Sequence, residues 1–190
     1  MRIVGGAFSG RTLIAPKGRD TRPTGERTRE AIFNLLAHRP GYAFEGARVI
    51  DLFAGSGAFG FEAMSRGAAF CLFVETNAAA RGALRDNIEA LGLFGSTRVH
   101  RRSATALGPK PAGLGAPFSL AFLDPPYAMD LCPPALMALA AGDWLAPRAL
   151  VVVEQAKNEA PVEAEGFAQV DRRFYGDTQV GLYIFDAVSA

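Results

Sequence analysis

Asp51-Leu52-Phe53-Ala54-Gly55-Ser56-Gly57-Ala58-Phe59-Gly60 is the stretch on which the fold turns. The apolar run Val49–Phe53 predicts a buried strand. Gly60–Arg66 predicts a helix with Phe61 and Met64 inward. Between them Gly55, Gly57 and Gly60 spell G-x-G-x-x-G, a tight turn that lets a ligand approach the backbone. Glu75 ends the next predicted strand, Phe70–Glu75, 20 positions after Gly55. At that spacing an acid takes ribose hydroxyls in dinucleotide-binding units. A nicotinamide or flavin oxidoreductase is therefore one reading. A structural role, in which the glycines only allow a helix to approach the sheet, is another. The common content is an adenosine-type ligand held by backbone and a carboxylate.

Further along, the same alternation continues. Ala78–Leu91 predicts a helix, with Ala80, Leu84, Ile88 and Leu91 at helical spacing. Thr97–Arg101 and Phe118–Leu123 predict strands, Pro134–Ala141 a helix and Leu150–Glu154 a fifth strand. Phe167–Phe174 and Gln179–Phe185 predict a terminal pair joined around Gly176-Asp177. Strands separated by helices imply an α/β fold with a parallel sheet wound on both sides. Residues 102–117 are rich in Gly and Pro and predict a loop. Toward the N-terminus, Arg2–Val4 and Thr12–Ala15 flank Gly5-Gly6 and Gly10, which predicts a hairpin. Arg22-Pro23-Thr24 leads into a helix through Leu36, capped by Thr24 or Thr28. The expected division is a hairpin-and-helix extension over 1–45 and a ligand-binding domain over 46–190. The extension is expected to lie apart from the glycine loop.

Asp124-Pro125-Pro126-Tyr127 follows the fourth predicted strand. An acid, two prolines and an aromatic ring there suit a planar base bearing an exocyclic amine. Asp124 accepts one N–H, and the Pro125 carbonyl, aimed by the stiff Pro-Pro turn, accepts the other. Tyr127 offers a stacking face, worth ~1–3 kcal/mol for a base. The structural alternative is a Pro-Pro turn that simply ends a strand. Asp51, immediately before the glycine loop, would oppose a pyrophosphate and favour a zwitterionic or cationic ligand such as S-adenosylmethionine. A dehydrogenase has no evident use for Asp124–Tyr127.

The chain has 190 residues, 49% of them hydrophobic, with a net charge of +1. That fits one domain with a full core, with room for a small appendage. No apolar run reaches the ~18 residues of a membrane span, and the N-terminus has no signal-type apolar core. A cytoplasmic location follows as the default. Cys71 and Cys132 have no metal-ligand spacing; His38 and His100 read as surface or structural and Trp144 as core, and no metal is expected. Residues 1–39 carry eight basic and three acidic side chains, a net +5, on a body of net −4. Such an arm suits a polyanion. Arg2, Arg11, Lys17, Arg19 and Arg22 are its candidate phosphate contacts, while Arg27 and Arg29 can pair with Glu26 and Glu30.

With both motifs in hand the chain resembles the class I S-adenosylmethionine-dependent methyltransferases, in the branch that methylates exocyclic amines. More narrowly it resembles the bacterial small-subunit (16S) ribosomal RNA guanine-N2 methyltransferases. The matching residues are Arg2–Gly6, Gly10-Arg11 with Leu13, Arg22–Thr24 with Arg27, Arg29-Glu30, Phe33-Asn34, Asp51–Gly57, Glu62-Ala63, Ser65-Arg66, Asp124–Tyr127 and Val153-Glu154. They span nearly the whole chain. The resemblance implies a Rossmann-like, mostly parallel seven-stranded sheet with an antiparallel terminal strand.

It also implies roles. Asp51, Phe53, Ala54, Gly55, Ser56 and Gly57 would cradle the methionine part of S-adenosylmethionine, Glu75 its ribose, and Ser103-Ala104 its adenine. Many related enzymes carry an acid where Ser103 stands. Gly25 falls where a polar residue is usual and takes no site role. Asp124, Pro125, Pro126 and Tyr127 would be catalytic. The implied substrate is 16S rRNA in an assembling small subunit, and the protein a monomer. A DNA adenine or cytosine amino-methyltransferase, and a non-catalytic RNA-binding subunit, are the other readings of the same residues.

Overall fold

The computed structural model describes residues 1–16, 25–126 and 129–186. The chain divides into two compact units, residues 1–101 and 102–190. The first carries α1 (Glu26–Ala37), β1 (Arg48–Leu52), α2 (Ala58–Ser65), β2 (Phe70–Val74), α3 (Ala78–Leu91) and β3 (Thr97–His100). β1 and β2 are parallel, with Asp51 opposite Phe73, and β3 adds in parallel with Cys71 opposite Thr97. Val49, Ile50, Leu52, Cys71, Leu72 and Phe73 are all buried. That is why both strands read as nearly continuous apolar runs.

The predicted first strand ends one residue early. Phe53 turns into the left-handed region with φ 61° and leaves the ladder. α2 begins at Ala58, two residues before the predicted start. It packs close to the sheet, where a Cβ on Gly60 would lie 2.3 Å from the Phe73 ring. α3 matches its predicted span. The Asn77 side chain accepts from the Ala80 N–H (3.0 Å) at its start, and Gly92 closes its end at φ 70°.

The expected N-terminal hairpin forms as a single antiparallel bridge, Arg2 to Thr12. Around it Ile3 donates to the Arg11 carbonyl (3.0 Å) and Gly10 to the Ile3 carbonyl (2.8 Å). α1 starts at Glu26 after Gly25, with no side-chain cap. Thr28 does not cap it, because its own N–H already bonds the Gly25 carbonyl (2.7 Å) inside the first turn. Thr24 lies outside the described residues.

Glu62 of α2, wholly buried, ties these pieces together. Its carboxylate accepts from the Val4 backbone N–H (2.8 Å) and from Arg66 Nε (2.9 Å), and lies 3.7 Å from Arg29 Nε. Arg29 also donates to the Arg2 carbonyl. The expected pairing of Arg29 with its helix neighbours is thus corrected: Arg29 faces inward to Glu62, and Arg2 takes Glu26 (3.1 Å). The cause is position, since Arg29 shares the buried face of α1 with Ile32, Phe33 and Leu36.

The second unit carries β4 (Phe118–Leu123), α4 (Cys132–Ala141), β5 (Leu145–Ala156), β6 (Phe167–Tyr175) and β7 (Thr178–Phe185). β5 is parallel to β4 and antiparallel to β7, which also pairs antiparallel with β6. β5 extends well beyond the predicted Leu150–Glu154. It first pairs Leu145 with Phe118, then slips to set Leu150 opposite Leu120. Pro147, which has no N–H to donate, and Arg148, with φ 63°, occupy the slip and hide the strand's first half from a pattern reading. The loop 102–117 contains a short 3-10 turn, Ala112–Leu114. Trp144 is core as expected; its Nε1 donates to the Gly108 carbonyl (2.7 Å) and holds that loop. The seven strands form one mixed sheet in the order β3-β2-β1-β4-β5-β7-β6.

Replacing Glu62 by Leu leaves Arg29 buried without its counter-charge. The expected loss is about 3–5 kcal/mol, read as a lower urea midpoint, with Glu62→Gln losing less. A Glu62→Leu midpoint equal to wild type would show that the pair does not hold α1 to α2.

Candidate functional site

Two buried carboxylates govern the glycine loop. Asp51, at the fourth position of β1, accepts the Gly60 N–H at Oδ2 (3.0 Å). Gly60 is the third residue of α2, whose N-cap is Gly57, with φ 82° and no side chain to cap it. Asp51 therefore supplies from β1 the acceptor that a capping side chain would give. Glu75, just past β2, accepts the Gly55 N–H at Oε2 (2.9 Å) and the Asn77 N–H at Oε1 (2.7 Å). The remaining turns close on backbone: Ala54 donates to Val74 (3.1 Å) and Gly57 to Ala54 (2.7 Å). Burial pushes the Asp51 carboxyl up to about 8; the Gly60 N–H opposes the shift and the Glu75 charge adds to it.

The donor set of this loop suits a cation better than an anion. The N–H groups of Gly55 and Gly60 are turned to the carboxyl groups of Glu75 and Asp51 and are not free for a pyrophosphate, and a bound cation would favour the ionised form of Asp51. Phe53, Ala54 and Ser56 line the same turn, with Phe53 half-buried at its positive φ. The six loop residues expected from the sequence, together with Glu75, thus lie on one feature of the first unit.

The residues expected at the adenine and at the amine belong to the second unit. Ser103 is exposed, and its hydroxyl lies 2.9 Å from Thr105 Oγ1 while accepting the Thr105 N–H (3.3 Å). Ala104 beside it is buried. Asp124 follows the last residue of β4 and is half-buried; Pro125 is buried and Pro126 exposed. The buried Cys132 thiol is pushed up to about 12 by burial and then by the charges of Glu159, Asp124 and Asp130. Asp124 is thus one of three acids that act on this thiol. Tyr127 lies outside the described residues.

The basic arm is described in part. Arg2 is engaged with Glu26, and Arg11 donates to the Ala90 carbonyl near the end of α3 (2.7 Å). Both remain exposed. Lys17, Arg19 and Arg22 lie outside the described residues. The segment does not lie apart from the loop as expected. Ser56 Oγ donates to Met1 Sδ (3.5 Å), and Asn87 bonds both Ile14 and Ser56. Sequence separation hid this contact. Its signal was a lone Asn in the apolar stripe of α3; likewise, a lone Glu in the apolar α2 marked Glu62. Among the described residues no helix is long and apolar enough to cross a membrane, and no acid, His or Cys group has metal-holding geometry.

A family model described as conserved hypothetical protein 95 matches residues 1–184. The chain belongs to that family. As a member of the conserved hypothetical protein 95 family, it is similar to Escherichia coli ribosomal RNA small subunit methyltransferase D, at 33% identity over 184 residues, covering 96% of this chain and 89% of that one. The protein of that name from Haemophilus influenzae is 32% identical over 96% of this chain and 93% of its own length. The solved structure of yhhF from Escherichia coli superposes with a TM-score of 0.81 at 32% identity, covering 99% of both chains. The fold is that of the class I methyltransferases, as the Rossmann-like expectation had it.

A carboxyl raised by burial binds its proton more tightly when folded than when unfolded. Asp51 therefore costs ligand-free stability progressively as pH rises from its ordinary 3.8 to about 8. Asp51→Asn is expected to flatten that slope, its amide oxygen still accepting from Gly60. Urea unfolding at several pH values between 5 and 8 checks this; an unchanged slope would show that Asp51 does not titrate in the window.

Proposed function

We propose that the chain is an S-adenosylmethionine-dependent methyltransferase that modifies the exocyclic N2 amine of a guanine in 16S rRNA. It works as a cytoplasmic monomer on the assembling small subunit. The carrying observation is the glycine loop whose backbone is turned onto Asp51 and Glu75. That donor set fits the sulfonium and ammonium charges of S-adenosylmethionine, and Glu75 stands at the spacing for ribose hydroxyls. The names of the full-length relatives support rRNA as the substrate. Guanine N2 rests on the resemblance and on the Asp124–Tyr127 turn.

When bound, S-adenosylmethionine supplies an electrophilic methyl group. The residues of the chain do the positioning. The loop from Phe53 to Gly57 and Glu75 hold the donor, with Ser103 and Ala104 toward its adenine. The guanine amine is a poor nucleophile because its lone pair is delocalised into the ring. Asp124 and the Pro125 carbonyl accept its two hydrogens, favour a pyramidal nitrogen and aim the lone pair. The Asp124 charge also stabilises the positive charge that develops there. Tyr127 stacks on the base, which must first leave its own stack. Pro126 keeps the turn rigid. Arg2, Arg11, Lys17, Arg19 and Arg22 meet RNA phosphates, a contact that weakens with salt.

S-adenosylmethionine and its demethylated product are expected to raise the melting temperature by a shift that grows with the logarithm of their concentration above Kd, with NAD giving no shift. Glu75→Gln should weaken both ligands. Calorimetry that found NAD bound and S-adenosylmethionine not bound would overturn the donor assignment.

Asp124→Ala is expected to fold and to lose most single-turnover methylation of RNA particles at saturating donor. Asp124→Asn should keep more, since its carbonyl still accepts one hydrogen. An Asp124→Ala rate within about tenfold of wild type, a barrier change of only ~1.4 kcal/mol, would remove the amine-acceptor role.

A further inference from the structure

Asn87 lies in the buried stripe of α3 at 2% exposure, and its amide is fully engaged. Its Oδ1 accepts the Ile14 N–H (2.8 Å). Its Nδ2 donates to the Ile14 carbonyl (3.0 Å) and to the Ser56 carbonyl (3.2 Å). One planar amide thus pairs with both backbone groups of Ile14, as a strand neighbour would, and with its second proton holds the middle of the glycine loop. Ile14 stands three residues before Lys17, the first of the basic residues expected to meet RNA in the segment that follows. Its side chain is 48% exposed, so the backbone, not the side chain, makes the connection. Ser56 is held from the other arm of the same hairpin, through Met1.

We infer that Asn87 is a positioning residue of the methyl-donor site, linking the segment that enters the basic arm to the loop that holds the donor. This rests on the reading of the glycine loop as the S-adenosylmethionine site. The bond to Ser56 is buried and the two to Ile14 are part-buried, so losing the first leaves the Ser56 carbonyl without water to replace it, and the loop loses its fixed position.

The test uses the full chain and S-adenosylhomocysteine. Asn87→Ala is expected to bind it about fivefold more weakly, the scale of one lost hydrogen bond. Ile14→Pro removes the N–H that Asn87 accepts, touches no loop residue, and is expected to give a similar loss. The double variant should lose no more than the worse single one. In turnover on RNA particles the donor KM should rise while kcat at saturating donor stays within about twofold of wild type, a split that general destabilisation does not produce.

A folded Asn87→Ala with wild-type affinity overturns the inference. So does an Ile14→Pro without effect, or losses that simply add. Should Asn87→Ala fail to fold, Ile14→Pro decides alone, since its exposed side chain carries little packing. A wild type that binds no S-adenosylhomocysteine would overturn the donor reading instead. The link is then read from amide exchange of residues 54–58 without ligand. Faster exchange in Ile14→Pro supports it, and unchanged exchange overturns it.

Discussion

A carboxylate with no exposed surface organises the first unit. Glu62 is the one charged residue on α2, and burying it unpaired would be prohibitive. It is tolerated because Arg29, Arg66 and the Val4 N–H converge on it from α1, from its own helix and from the N-terminal segment. Each partner is in turn held elsewhere: Arg29 by the Arg2 carbonyl, and Arg66 over the Phe33 ring at 5.2 Å. The demand for full satisfaction of one charge thus sets the approach of three chain segments. An apolar residue at 62 would pack but would not specify that arrangement.

The same economy governs the glycine loop. A turn with several left-handed residues has few local ways to satisfy its N–H groups. Here the acceptors come from outside the turn, Asp51 from β1 and Glu75 from the end of β2. The two strands are hydrogen-bonded neighbours, so the sheet itself spaces the two acids. Glycine is demanded sterically at two points. A Cβ on Gly57 would lie 2.5 Å from the Phe61 ring, and one on Gly60 2.6 Å from Cys71 Sγ. The loop's shape therefore follows from close packing beneath it as well as from freedom of φ. That is why a motif of three glycines alone does not distinguish one adenosine ligand from another.

Much of the architecture was legible because the strands are apolar and the helices periodic. α3 could be read from Ala80, Leu84 and Ile88, and β4 from an unbroken run between breakers. The loop and the Asp124 turn stood out because their residue types are costly elsewhere. What escaped was long-range polar pairing. The buried roles of Arg29 and Asn87 depend on partners far away in sequence, which no local pattern encodes. The first half of β5 escaped for the opposite reason: Pro147 and Arg148 look like a turn, and only the neighbouring β4 shows that the strand resumes its ladder.

The partners of Glu62 all lie between Val4 and Arg66. β1, β2 and β3 likewise pair with one another within the first unit. Synthesis proceeds from the N-terminus, and domains fold as they emerge. The charge cluster can therefore close, and its water can leave, while the residues of the second unit are still being translated. The antiparallel β6–β7 ribbon, turned at Gly176, needs only neighbouring sequence and can form last. The charge cluster of the first unit thus needs no residue made after Arg66.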